Sequence, residues 1–104
     1  MLKHIVMWKF LTYAEGAEKK ENLRKAKAML ESLKPSIKEI RFLEVGIDVT
    51  HTERSYDLVL YTEFDSPAAL VAYQQHAEHV KVVEFLRKVQ SGRNVIDYDS
   101  KTDR

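Results

Sequence analysis

The chain has 104 residues, which is room for one domain with one core. It is 44% hydrophobic and 32% charged, with 17 basic and 16 acidic residues and a formal net charge of +1. That near-balance gives no general reason to expect nucleic acid or an anionic membrane as partner. It has no cysteine, which excludes disulfides, thiolate nucleophiles and cysteine-based zinc or iron–sulfur centres.

Leu2 to Leu11 reads as the first strand. Ile5, Val6, Met7, Trp8, Phe10 and Leu11 leave almost no polar alternation, broken only by His4 and Lys9. A strand that is apolar on both pleat faces is buried on both. The same run is too short, and too soon interrupted by Lys9, for a signal-peptide core, and nothing approaches a transmembrane length. A soluble protein of a reducing cytoplasm is expected. Thr12 to Gly16 reads as a loop. A helix follows with the stripe Leu23, Ala26, Leu30 and Leu33, and Glu21–Lys25 in the favourable i,i+4 order. Lys34-Pro35 is expected to end it.

Ile37 to Val49 reads as a second strand, with Gly46 marking a bulge or a close backbone approach. Thr50 to Ser55 is a turn. The third strand, Tyr56 to Phe64, sets Tyr56, Leu58, Leu60, Thr62 and Phe64 on one face and Val59 and Tyr61 on the other. Ser66-Pro67 starts a helix, serine as N-cap and proline at its first position. A second helical stretch carries Val82, Phe85, Leu86 and Val89. Between them, His76-Ala77-Glu78-His79 is expected to break or bend the chain. Ser91-Gly92 should close the helix, Val95 to Tyr98 is the last strand, and Ser100 to Arg104 a frayed tail.

The order βαββαβ predicts an α+β, ferredoxin-like fold with four antiparallel strands and two helices on one face, in a single domain spanning 1–104. Two helices cannot cover both faces, yet the first and third strands are apolar on both. The second face therefore calls for a second copy of the chain, two sheets packing about 10 Å apart in a symmetric dimer. Ile5, Met7, Val59 and Tyr61 should face that partner, and Val6, Trp8, Leu58 and Leu60 the helices, with His4 in phase with the helix-facing set.

Lys3-His4-Ile5-Val6-Met7-Trp8-Lys9-Phe10, Glu44-Val45-Gly46-Ile47-Asp48, Tyr56-Asp57-Leu58-Val59-Leu60, Tyr73-x-x-His76-x-x-His79 and Asp97-Tyr98 together carry a resemblance over Lys3 to Tyr98. The chain resembles the stress-responsive dimeric α/β-barrel family. The resemblance implies homodimers whose two sheets form a barrel, mostly of unassigned function. Its olivetolic acid cyclase-type members, which close a polyketide by an aldol reaction, imply a base at His79, an assisting Tyr73 and a pocket-lining His4. Two departures stand out. Ala77 replaces the usual proline, and Lys25-Ala26-Lys27 stands where the cyclase has a pocket tyrosine, which argues against the same substrate.

The residues alone allow plainer roles. Tyr73 could be a core aromatic and His4 a satisfied core histidine, while His79 bonds a backbone carbonyl or His4. His76 and His79 have i,i+3 spacing but no third ligand at a recognised position, so no metal site is assigned, and no cofactor. Trp8, His76, Phe64 and Phe85 are the expected ligand-binding residues around the catalytic candidates His79, Tyr73 and His4. The favoured function is binding of a small apolar organic molecule. The alternatives are a cofactor-independent cyclase or carbonyl-chemistry enzyme, a structural stress-stability protein, and a haem or quinol monooxygenase relative, the last with no specific residue in its support.

Overall fold

The structure, a computed structural model, describes residues 1–100. The part of the expected frayed tail from 101 to 104 lies outside them. Strand β1 (Leu2–Phe10) is followed by a miniature hairpin, β2 (Tyr13–Ala14) and β3 (Ala17–Glu18), then α1 (Lys19–Glu31) and a single turn of helix, α2 (Leu33–Ser36). Next come β4 (Phe42–Ile47), β5 (Leu58–Phe64), α3 (Pro67–Gln75), α4 (Ala77–Val89) and β6 (Gln90–Asp99). The main sheet is antiparallel in the order β4-β5-β1-β6, with the first and third major strands in the centre. This is the ferredoxin-like arrangement that the element order predicts.

Alternation along β1 settles which side chains enter the core. Leu2, His4, Val6, Trp8 and Phe10 are all buried beneath the helices, joined by Leu58, Leu60, Thr62 and Phe64 of β5. The opposite face carries Ile5, Met7, Val59 and Tyr61, as expected, together with Phe42 and Ile96. Met7 is 38% exposed, Phe42 46% and Ile96 57%, so this face has an apolar centre that the described residues leave uncovered. Among the described residues no helix is long and apolar enough to cross a membrane.

Several local expectations change. The loop after β1 folds into the β2–β3 hairpin, whose turn residues Glu15 and Gly16 both have positive φ (51° and 75°), the geometry of a tight two-residue turn. Buried Asn22 of α1 pins that hairpin by donating to the carbonyls of Ala14 and Ala17. Pro35 sits inside α2 rather than closing α1, which ends at Glu31. Ile37 and Ile40 are not strand residues. They plug the core from the connecting turn, and pairing with β5 within the sheet begins at Phe42. Gly46 marks a close approach and no bulge: register with β5 is unbroken, and a Cβ there would lie 3.2 Å from Val59 Cγ1. Gly92 does not terminate a helix. Strand β6 starts directly at Gln90, and Gly92 pairs with Lys9 beside an irregularity in the ladder. On α1, Glu21 pairs with Arg24 rather than Lys25, whose ammonium lies over the Phe85 ring at 4.8 Å.

Candidate functional site

Ser66 caps α3 by accepting from Ala69 N at 3.1 Å, with Pro67 at the first helical position. At the far end of α3 the chain breaks at His76, whose backbone is extended (φ −65°, ψ 137°). The His76 ring accepts from Glu78 N at 3.1 Å and so caps α4. This break turns Tyr73, at the end of α3, and His79, in the first turn of α4, toward each other. Their ring centroids are 4.4 Å apart. A continuous helix would not set residues six apart on one face.

Tyr73 is fully buried on Phe64, at 4.9 Å between centroids, and 6.2 Å from the His4 ring. Burial pushes its phenol far above the ordinary range, against a smaller opposing pull from the Arg93 charge. It is thus a neutral donor at any physiological pH. Its hydroxyl has no hydrogen-bond partner among the described residues, and neither has the buried Oε1 of Gln90. Such groups are uncommon in proteins, because each loses its water without replacement.

The two imidazoles have defined roles. His79 Nδ1 donates to the Gln74 carbonyl at 3.1 Å, since a carbonyl can only accept, which leaves Nε2 as the acceptor of the neutral ring. Burial lowers the His79 pKa, partly countered by that hydrogen bond, and nearby positive charge lowers it further. His4 lies opposite Asp97 in the β1–β6 ladder and its Nδ1 bonds the Asp97 carboxylate. The main chain of His4 accepts from Thr62 Oγ1 at 3.1 Å.

These groups meet around a cavity of about 310 Å3 between the sheet and α3–α4, at the β6 side. His4, Trp8, Tyr73 and His79 line it, with apolar walls from Val6, Leu30, Leu60, Val82 and Leu86. Four polar residues that sequence reasoning missed complete the lining: Gln74, Arg87, Gln90 and Arg93. Three of the expected ligand contacts stand elsewhere. His76 is spent on capping α4, Phe64 lies beneath Tyr73 as its support, and Phe85 packs between α4 and Lys25 of α1. Among the described residues no group of three or more metal-ligating side chains forms. A wider groove of about 710 Å3 runs between α1 and the loop before β5, but none of the expected site residues reaches it.

Residues 2–100 match the family described as Stress responsive A/B Barrel Domain. The chain belongs to this family. No curated protein matches it. Among solved structures it is similar to a dimeric protein of unknown function with a ferredoxin-like fold from Bacteroides fragilis, at 29% identity over 94% of both chains and a TM-score of 0.81. It is also similar to a dimeric ferredoxin-like protein of unknown function from Thermobifida fusca, at 18% identity over 93% of this chain and 88% of that one, TM-score 0.80. A third is a hydroxynitrile lyase from Passiflora edulis, at 16% identity over 93% of this chain and 90% of that one, TM-score 0.75. At such identities the last two likenesses show the fold alone. The stress-responsive barrel domain thus shares its architecture with dimeric relatives.

Proposed function

We propose that this stress-responsive barrel domain is a cytoplasmic homodimer that binds a small organic molecule in the cavity of each protomer. The pairing is supported by the uncovered apolar face around Ile5, Met7, Val59, Tyr61 and Ile96 and by the dimeric relatives. The observation that carries the binding reading is a cavity lined by apolar and polar side chains alike, two of which, Tyr73 and Gln90, carry buried atoms (Oη and Oε1) whose hydrogen-bonding capacity is unmet. A ligand with an apolar body and one hydroxyl group answers both features, since a hydroxyl can accept from Tyr73 Oη and donate to Gln90 Oε1, whereas a carbonyl can answer Tyr73 alone. The dimer holds the sheet, and the pocket lies within one subunit.

A second reading makes the same site an enzyme that removes a proton α to a carbonyl without a cofactor. It is favoured by the His79 tautomer: an imidazole held through Nδ1, neutral by virtue of its lowered pKa, with Nε2 available as base beside a phenol that can bond the carbonyl.

Trp8 is the sole tryptophan and lines the cavity, so its indole N–H signal in a nitrogen–proton NMR spectrum reports occupancy. A set of small hydroxyl- and carbonyl-bearing fragments should contain compounds that shift this signal. Val83→Phe, at a half-buried lining position, should abolish the effect. If no fragment moves the Trp8 signal, or if the filled variant binds equally well, the residues only pack and the binding reading is wrong.

A further inference from the structure

The polar lining of the cavity is one-sided in charge. Arg87 in the last turn of α4 and Arg93 on β6 stand at its rim, both exposed, while no Asp or Glu lines it. The acid nearest in the β6 ladder, Asp97, is engaged by His4. Among the described residues neither guanidinium has an ion-pair or hydrogen-bond partner, although the chain forms such pairs at Arg24 and Arg41. Arg87 has an ordinary structural use, because a cation in the last turn of a helix offsets the helix dipole. Arg93 has none. It sits on an edge strand, opposite Trp8 in register, on the face that turns toward the helices.

From this geometry we infer, resting on the binding reading above, that the cavity selects small organic anions. The carboxylate of an aromatic or aliphatic acid is held at the rim by Arg93 with Arg87 beside it. The apolar body lies along Trp8, Val82 and Leu86, and a hydroxyl, where the acid carries one, accepts from Tyr73 Oη or donates to Gln90 Oε1. A guanidinium matches a carboxylate with two parallel N–H donors, which a neutral amide cannot exploit equally. The charge of Arg93 is already felt inside the cavity, since it lowers the pKa of both Tyr73 and His79. An anion formed or bound there meets the same field.

The test uses two ligands of one shape, 2-naphthoate and 2-naphthamide, titrated into the full chain and followed at the Trp8 indole signal. The acid should bind at least about tenfold more tightly than the amide, the size of one charge-assisted contact at a rim. Arg93→Gln should remove most of that difference, weakening the acid far more than the amide. Added salt should weaken only the acid. Equal affinity for acid and amide would overturn the charge selection while leaving the pocket as a binding site. A preference for the acid that survives Arg93→Gln would overturn the assignment to Arg93. If neither compound moves the Trp8 signal up to its solubility limit, the inference fails, and the fragment screen above decides separately whether the binding reading fails with it.

Discussion

Tyr73 and His79 face each other at 4.4 Å between ring centroids because the chain breaks at His76, which serves both as C-cap of one helix and N-cap of the next. The break is a chemical device as much as a bend. It satisfies the free end of α4 with an imidazole nitrogen, leaves a second imidazole over the cavity, and seats the phenol on Phe64.

The lowered pKa of His79 has a consequence for stability. In the unfolded chain the ring takes a proton near pH 6.5, and in the folded chain it does so only at lower pH. The unfolded state therefore binds more protons between those two values, and stability falls as pH drops from 6.5 through the folded value. Above pH 6.5 the contribution is fully present. Thermal unfolding measured between pH 7.5 and 5 should show a smaller acid-side loss in His79→Gln than in the native chain. Identical pH profiles would mean that the ring titrates normally.

Ser66 is the sole side chain that caps α3, so Ser66→Ala should cost about 1 kcal/mol in urea unfolding. An unchanged midpoint would show that Pro67 and packing suffice to start the helix.

On the outer face, Met7 is opposite Val59 and Asn94 and is partly exposed within one protomer. Met7→Glu should therefore spare the protomer fold while placing like charges across the proposed interface. Light scattering at micromolar concentration should give one chain for the variant and two for the native protein, with helical circular dichroism retained in both. A dimeric variant would move the interface elsewhere.

Much of this frame was legible because strands declare their faces. The two-sided apolar character of β1 and β5 separated Val6, Trp8, Leu58 and Leu60 from Ile5, Met7, Val59 and Tyr61 correctly, and placed His4 on the helix side. The Ser66 cap and the break near His76 also follow from local chemistry. The cavity rim did not show. Ser91-Gly92 reads as the close of the helix and the last strand as beginning at Val95, so nothing marks Gln90 or Arg93 as strand residues, whereas here the extended backbone of Gln90 leads straight into β6. The contact between His4 and Asp97 depends on the register of β6 against β1, which alternation within one short strand does not specify. Ile37 and Ile40 misled in the same way: two apolar residues before a strand look like its beginning when they are anchors of the turn that precedes it. Phe85 lies on the apolar stripe of α4, but that stripe is wider than the cavity, and its edge belongs to α1.

Whether the Tyr73 hydroxyl is held for a ligand or already serves the fold is tested most directly by urea unfolding of Tyr73→Phe in the ligand-free protein. A buried hydroxyl with no partner contributes nothing to the folded chain and has lost its water, so its removal should leave stability unchanged or raise it by up to about 1 kcal/mol. A loss of about 1 kcal/mol or more would contradict the account, because the hydroxyl would then have a partner within the protein and no capacity left to offer a ligand.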